Sequence, residues 1–426
     1  MPLTIFFVSM ALFLIIRIPL AFAMGMSSLL YLFLAGNVPP MILIQKTFSG
    51  TNSFPMLALP LFILAGAIMN VGGIAKRLID CAGAFVGHIR GGLAMVDIVA
   101  SMFFGGVSGS AVAEASALGT VLIPGMVARG YRADFAAAVT SCAATLGIII
   151  PPSIPMILYA VVSETSVGAL FLAGFIPGIL VGLAQMVVAY MVAKRDGYPT
   201  EGGFSLAKAI RATREALWAL VMPVIILGSI VSGVCTPTES AGIAVAYGLF
   251  VSGVIYHSLD WQQLWEAVHQ TVLTTATIMI IIGFGGIVGW IMAYAKVPTA
   301  LAEFTLSVSD SRWVILLMIN VFLLILGFFM HGTPIILIVV PIILPLLKAL
   351  NVDLVHFGII TVVNIGIGQQ TPPMASCLLV TSAIAKLDIM IVARAAIPFM
   401  LIMTLMLFAI TYIPGISLLL PSLFMQ

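Results

Sequence analysis

Long apolar runs alternate with short polar segments along almost the whole chain. A helix that crosses a bilayer needs about 20 mainly apolar residues. Runs near this length predict crossing helices at Phe54–Val71, Gly168–Ala193, Trp218–Gly233, Ala241–His257, Thr271–Tyr294 and Ile389–Tyr412. Leu3–Gly36 is too long for one straight crossing and short for two, so its number of crossings stays open. The charges in Ile74–Arg90 and Ser258–Gln270 favour amphipathic segments at the membrane surface.

Two apolar segments have a polar centre, which predicts a turn at membrane depth. In Leu93–Val127 the apolar arms are each short of a crossing and flank the sequence GGVSGS. Arg312–Leu350 repeats this pattern around MHGT, Met330–Thr333. We expect each segment to form a re-entrant helical hairpin, which enters and leaves by the same face of the membrane.

Two further crossings, Ala133–Ser163 and Leu354–Thr381, are interrupted by glycine and proline. The interruptions lie at Gly147–Pro152 and at GIGQQTPP, Gly366–Pro373. Backbone polar groups left unpaired are tolerated at membrane depth only where they face protein or water. The pattern therefore predicts two broken helices that border a buried polar site.

The two halves of the chain share the spacing of these glycines and prolines. A shift of 221 residues, the separation of Gly106 and Gly327, aligns several glycines and prolines. The aligned pairs are Gly106 with Gly327, Pro124 with Pro345, Gly147 with Gly368, Pro151 and Pro152 with Pro372 and Pro373, and Pro177 with Pro398. Opposite hairpin orientations would make the halves inverted repeats, the architecture of many secondary transporters.

This pattern divides the chain into four parts. Residues 1–90 are expected to form N-terminal scaffold helices and an interfacial arm, and residues 91–193 the first hairpin and broken helix. Residues 194–311 hold a polar junction, Lys194–Arg214, and further scaffold helices. Residues 312–426 hold the second hairpin, the second broken helix and the last helix.

Composition agrees with an all-α polytopic membrane protein. Of the 426 residues, 62% are hydrophobic and 8% are charged, against about 25% charged in soluble domains. The net charge of +2 gives no reason to expect nucleic acid. The predicted topology places twelve of the seventeen basic residues on one face, which the positive-inside rule assigns to the cytoplasm.

The interruptions offer groups that suit both a cation and a carboxylate. Free N–H groups at one broken end suit a carboxylate, and free carbonyls at the other suit Na⁺. In the first half Ser108, Ser110 and the carbonyls of Gly147–Pro152 are candidate cation ligands. In the second half the candidates are Gly327, Gly368, Thr371 and Met374.

Several polar side chains near these interruptions are candidates for substrate binding. They are Ser108, Ser110, His331, Thr333, Gln369 and Gln370. Glu114, four residues beyond Ser110, either completes an ion site, carries a proton or braces the hairpin. An ionisable group at membrane depth suggests a function by default. Glu239 in CTPTES is expected to cap the helix that follows it.

The motifs GGVSGSAVAEASALG, IIPPSIP, CTPTES, HFGII and NIGIGQQTPP resemble the DctM-like large membrane subunit of tripartite ATP-independent periplasmic (TRAP) transporters. The resemblance runs from end to end. It implies Na⁺-driven uptake of an organic acid across the bacterial inner membrane, by an elevator motion of a transport domain against a scaffold. It also implies two partners, a small four-helix membrane subunit and a periplasmic substrate-binding protein.

The same resemblance assigns sodium ligands. It implies one site at Ser108, Ser110, Gly147, Ile150 and Pro152, and another at Gly327, Gly368, Thr371 and Met374. Glu114, His331 and Gln369–Gln370 depart from the residue types common in the family, so a family substrate is not carried over.

The leading interpretation is thus a transporter in which at least two Na⁺ ions and an acid cross together. A passive anion channel and a structural scaffold remain alternatives. An intramembrane enzyme is a further alternative, with Glu114 and His331 as its only candidate pair.

Overall fold

The computed structural model is all-helical throughout the residues that it describes, 2–35, 38–309 and 311–425. The predicted all-α class is confirmed. In these residues, nine helices are long and apolar enough to cross a membrane, or up to ten with a bent pair counted as one span. The chain is therefore a multi-pass membrane protein.

The N-terminal part contains five helices. They are α1 (Pro2–Ile15), α2 (Leu20–Ala35), α3 (Met41–Thr51), α4 (Ala58–Val71, preceded by one 3₁₀ turn at Phe54–Leu57) and α5 (Ile74–Val86). The break between α1 and α2 falls at Arg17, whose φ is 66°, and Pro19, which cannot donate a helical hydrogen bond. The predicted segment Leu3–Gly36 thus forms two short helices that pack together; Gly36 itself lies outside the described residues.

The next six helices hold the first hairpin and broken helix. They are α6 (Gly92–Ser108), α7 (Ala111–Ala128), α8 (Ala133–Ala144), α9 (Leu146–Ile149), α10 (Ile154–Ser163) and α11 (Val167–Asp196). Gly109, with φ of 65°, makes the tight turn between α6 and α7. The helix Ala133–Ile149 and α10 meet at 41°.

Both ends of the first hairpin contact one short segment that follows α11. The Gly91 and Gly92 amides donate to the Pro199 carbonyl at 3.2 and 3.3 Å, and Arg129 pairs with Glu201 at 3.0 Å. The Tyr131 hydroxyl also donates to Pro199, at 3.4 Å. Burial raises the pKa of Tyr131 to about 12, so this phenol stays protonated. The chain therefore enters and leaves this hairpin at the same place.

Most of the helices that follow are longer than expected. They are α12 (Leu206–Val231), α13 (Pro237–Phe250, continued by a π turn at Val251–Ile255), α14 (Trp261–Tyr294) and α15 (Val297–Val308). The prediction of separate elements at Ser258–Gln270 and Thr271–Tyr294 was wrong. Asp260 and Gln263 form a capping box that starts α14, and no glycine or proline interrupts the helix before Gly283.

Two other boundaries also differ from expectation. The end of the polar junction Lys194–Arg214 is helical, because α12 begins at Leu206. Glu239 does act in capping, as predicted. The helix begins earlier, however, because Thr236 is the N-cap and Glu239 completes a capping box with it.

The last seven helices hold the second hairpin and broken helix. They are α16 (Arg312–Phe329), α17 (Gly332–Pro334), α18 (Val340–Ala349, joined to α17 by a π turn at Ile335–Val339), α19 (Leu354–Gly368), α20 (Ser376–Ala385), α21 (Ile389–Tyr412) and α22 (Gly415–Phe424). The short helices α3, α15 and α22 were not expected.

The last long helix, α21, passes close to the bases of both hairpins. At its start, Arg394 lines the same pocket as Arg132, which follows the base of the first hairpin. At its end, the Tyr412 hydroxyl donates to the Trp313 carbonyl at 3.3 Å, and His356 contacts the Thr411 carbonyl at 3.2 Å. Trp313 and His356 border the base of the second hairpin. The bases thus lie near opposite ends of a helix about 36 Å long.

Candidate functional site

The first hairpin tip touches the break of the first broken helix. The Ile154 amide donates to the Gly109 carbonyl at 3.3 Å. A Cβ atom placed on Gly105 would lie 3.0 Å from the Gly147 Cα, which is closer than ordinary van der Waals contact. Only glycines permit this approach, so the sequence brings the tip directly against the backbone of the break.

The second half repeats the contact with different residues. The Met374 amide donates to the Phe328 carbonyl at 3.3 Å. A Cβ on Gly327 would lie 3.0 Å from the Gly368 Cα. Each hairpin therefore meets a proline-interrupted helix through a pair of glycines.

Prolines leave a carbonyl at the first break without its helical partner. Pro151, four residues after Gly147, has no N–H to donate to the Gly147 carbonyl. The Ile148 carbonyl lacks such a donor too, because of Pro152, but it accepts the Ser153 hydroxyl at 2.6 Å. The Gly147 carbonyl thus remains a candidate cation ligand, beside the buried Ile150 and Pro152.

In the second break the candidate residues are less enclosed. Thr371 and Met374 are half-buried. The Thr371 hydroxyl donates to the Ile367 carbonyl at 3.0 Å, and its amide donates to the Gly368 carbonyl at 3.1 Å. The hydroxyl oxygen of Thr371 still has acceptor capacity for a cation.

A cleft of about 460 Å³ lies beside the first tip. Ser108 and Ser110 line it from the hairpin, Gly66 and Asn70 from α4, and Glu266 from the first turns of α14, among others. The Ser110 side chain also accepts from the Ala113 amide at 3.5 Å, as the N-cap of α7. The cleft therefore lies between the first hairpin and the helices α4 and α14.

The other predicted substrate residues do not line this cleft. His331 is exposed at the second tip and Thr333 is half-buried. Gln370 is fully buried; its amide nitrogen donates to the Ser141 carbonyl at 2.8 Å, and its oxygen accepts the Ser141 hydroxyl. The Gln369 side-chain oxygen accepts the Cys377 thiol at 3.2 Å. In this conformation the Gln370 amide links the second break to α8, and the Gln369 amide links it to α20.

Two fully buried carboxyl groups lie within the first hairpin, Glu114 on α7 and Asp97 on α6. Neither carboxyl oxygen of Glu114 has a hydrogen-bond partner within the described residues, and the carboxyl packs against the Gly147 Cα. Asp97 on α6 accepts the Thr140 hydroxyl through one oxygen, and its other oxygen has no such partner there. The sequence analysis missed Asp97, although a lone acid in an apolar hairpin arm is a detectable signal.

Comparison with known proteins gives a consistent result. Residues 7–416 match the family model of the tripartite ATP-independent periplasmic transporter, DctM component. The chain is 42% identical to the C4-dicarboxylate TRAP transporter large permease protein DctM of Pseudomonas aeruginosa, over 94% of each chain. It is 39% identical to the isethionate TRAP transporter permease protein DctMQ of Oleidesulfovibrio alaskensis, over 97% of this chain and 66% of that longer protein.

A solved structure supports the fold alone. The Alcanivorax borkumensis YdaH transporter aligns with a TM-score of 0.59 and 16% identity, over 88% of each chain. The family model covers nearly the whole sequence, and the relatives exceed a third in identity. The chain therefore belongs to the TRAP transporter family, as a DctM-type membrane permease subunit.

Proposed function

We propose that this chain imports an organic acid together with Na⁺ across the bacterial inner membrane, by an elevator motion. The observation that carries the proposal is the duplicated glycine contact between each hairpin tip and a proline-interrupted helix. Two such contacts would give two places where backbone carbonyls and hydroxyls converge within the membrane. That chemistry suits Na⁺, which is coordinated by unwound backbone carbonyls in transporters built from broken helices.

The residues present fit two sodium sites. Ser108, Ser110 and the Gly147 carbonyl would hold one ion, with Ile150 and Pro152 shaping the break. Gly327, Gly368, Thr371 and Met374 would hold the other, through carbonyl and hydroxyl oxygens. In each site a Cβ on the hairpin glycine would crowd the break, so the sites depend on glycine for their dimensions.

The charge of the cleft gives a physical reason to expect that binding of the acid and binding of Na⁺ are coupled. Among the residues that line it there is no lysine or arginine, and Glu266 is acidic. An organic anion would enter against an unfavourable charge unless cations accompanied it. Na⁺ at the first tip, beside Ser108 and Ser110, would provide that charge. Each ligand should therefore raise the affinity for the other.

The substrate class is proposed from the relatives. One is named for C4-dicarboxylates and the other for isethionate, and both kinds of solute are small organic acids. We propose the same broad class here, bound near Ser108 and Ser110. His331, Thr333, Gln369 and Gln370 would join this site only after a rearrangement, because none of them lines the cleft in this conformation.

The elevator motion is proposed from the position of the cleft. Residues 91–193 and 312–426 would move as the transport domain, and the helices within 1–90 and 194–311 would form the scaffold. The cleft is bordered by both groups, so relative sliding would change its access. A small four-helix membrane subunit would extend the scaffold, and a periplasmic binding protein would deliver the solute.

The test is uptake into proteoliposomes that contain this chain, its small subunit and its periplasmic binding protein. An inward Na⁺ gradient should drive accumulation of the acid. The double variant Ser110→Ala, Gly368→Val should abolish Na⁺-dependent uptake while the protein remains in the membrane. A valine at Gly242, where nothing lies within 4 Å of an added Cβ, is the matched control. Equal flux without Na⁺ and without the binding protein would instead identify a passive channel.

No observation favours the enzyme alternative. The Glu114 carboxyl is buried and has no hydrogen-bond partner within the described residues, whereas His331 is exposed at the other hairpin tip. General acid–base catalysis needs its groups within hydrogen-bond reach of one reacting centre.

A further inference from the structure

A basic pocket of about 350 Å³ lies where the start of α8, the end of α11 and the start of α21 meet. Three arginines line it, one from each of these places: Arg132, Arg195 and Arg394. The side chains of Arg132 and Arg195 are 62% and 72% exposed, and Arg394 is also exposed. Their guanidinium groups are therefore available to a ligand from the membrane surface.

The pocket carries one positive charge in excess. Arg132 pairs with Asp134, and Arg195 pairs with Asp196 at 2.8 Å. Arg394 forms no ion pair within the described residues. Three arginines against two aspartates leave a charge of +1, which a single phosphodiester would neutralise.

An apolar groove of about 430 Å³ continues from this pocket between α11 and α21. Val192, Arg195 and Pro398 line both the pocket and the groove. The groove then follows exposed apolar side chains, such as Leu401 and Leu405, which are 65% and 60% exposed. A basic head region thus opens directly into an apolar channel on the outer surface of the helices.

The pocket and the groove together extend over about the depth of one membrane leaflet. From Arg394 to Leu405 the helix α21 rises by roughly 16 Å. Half of the hydrocarbon core of a bilayer is about 15 Å thick. The pocket and groove together therefore span about the depth of one leaflet, with the head group at the arginines and an acyl chain along the groove.

We infer that this pocket and groove bind one anionic phospholipid from the leaflet on the basic face of the protein. Its phosphodiester would contact Arg394 and the free guanidinium donors of Arg195 and Arg132, and an acyl chain would lie along the groove. Arginine binds phosphate oxygens through paired N–H groups, and basic pockets between transmembrane helices are known to hold lipid head groups. The continuous groove favours a lipid over a free phosphate.

Binding should stabilise the arrangement of the surrounding helices. The pocket is complete only when α8, α11 and α21 are in place, and these helices come from both halves of the chain. A ligand that binds only this assembled form raises its stability by mass action. An anionic lipid would thus join the two proposed transport regions on the basic face.

The test compares lipids on the purified full chain together with its small subunit. The probes are phosphatidylglycerol, zwitterionic phosphatidylethanolamine and water-soluble glycerol phosphate, scored by native mass spectrometry and thermal unfolding. We expect one retained phosphatidylglycerol and a raised unfolding temperature with that lipid alone. Arg394→Gln should weaken its binding at least tenfold. Arg214→Gln, which removes an exposed arginine outside the pocket, should not.

Three results would overturn the inference. One is equal phosphatidylglycerol binding by Arg394→Gln and the parent protein. Another is glycerol phosphate binding as tightly as the lipid, which would identify a soluble-anion site. The third is phosphatidylglycerol binding only when the small subunit is removed, since a partner helix would then occupy the groove. Leu401→Asn gives a second check, because it should weaken lipid binding while leaving the arginines unchanged.

Discussion

The contact between Gly327 and Gly368 offers the most direct test of the proposed sodium sites. A Cβ on Gly327 would lie 3.0 Å from the Gly368 Cα, and its next neighbours, the Gly368 amide nitrogen and the Asn364 carbonyl oxygen, are 3.7 and 4.0 Å away. Ordinary contact begins at 3.4 Å. The variant Gly327→Ala therefore has one backbone clash, which separation of the tip and the break by about 0.4 Å would relieve.

The size of the effect follows from this separation. Overpacking of a tight interface costs about 1–3 kcal/mol. In the proposed mechanism, Na⁺ binding requires the tip and break to be close together and the sodium-free form can widen, so the cost would fall mainly on ion binding. At about 1.4 kcal/mol for each tenfold change, the half-saturating Na⁺ concentration should rise roughly 5- to 150-fold. Uptake in reconstituted proteoliposomes at graded Na⁺ concentrations measures this shift.

The other half of the chain and a distant glycine provide the comparison. Gly105→Ala should shift the sodium dependence in the same direction, because its Cβ would lie 3.0 Å from the Gly147 Cα and 3.2 Å from the Leu146 carbonyl oxygen. Gly242→Ala adds the same methyl group to a helix with nothing within 4 Å. If Gly327→Ala and Gly242→Ala show the same sodium dependence, the glycine contact does not set the dimensions of an ion site.

Three other changes test individual contacts. Glu114→Gln keeps the shape of the buried side chain but prevents it from ionising beside Gly147. If the Glu114 carboxylate helps to hold Na⁺, the half-saturating Na⁺ concentration should rise about tenfold with normal membrane insertion; an unchanged sodium curve would leave Glu114 a bracing role. Gln370→Leu leaves the buried Ser141 hydroxyl without its partner and should cost about 1–3 kcal/mol of stability. Thermal unfolding in detergent measures this loss, and adding Ser141→Ala should recover part of it. Thr236→Ala removes the N-cap of α13 and should cost about 1 kcal/mol without altering sodium dependence.

The interruptions were predictable because a bilayer restricts what the backbone can do. Gly109 and Pro151 stand within apolar sequence where few unpaired backbone groups are tolerated, so their presence indicated breaks near the positions that the structure shows. The first residue of a helix was harder to predict where the helix begins with polar turns. Trp261 begins α14 through a capping box at Asp260, and the polar character of the first turns hid their continuity with the apolar part.

The sequence pattern did not predict which distant side chains would form hydrogen bonds with each other. Ser141 and Gln370 are 229 positions apart, and neither the repeat nor the periodicity of either helix indicates their bond. Asp97 and Thr140 are likewise joined only by the packing of α6 against α8. Gln370 looked like a substrate ligand because amides at a break offer free donors and acceptors. Folding places that amide against the other broken helix, where both of its polar atoms already have partners.

The packing of the two broken helices also bears on how the two proposed ion sites could act together. Gly366 lies against Thr145, since a Cβ on that glycine would be 3.5 Å from the threonine Cβ. Gln370 holds Ser141 one turn earlier on the same helix. The helix segments next to the two breaks therefore pack directly against each other. Movement of the second break on ion binding would shift the helix that carries Gly147, and the reverse holds equally because coupling between sites is reciprocal. If the two proposed sodium sites bind cooperatively, the direct packing between the two broken helices provides a physical connection between them.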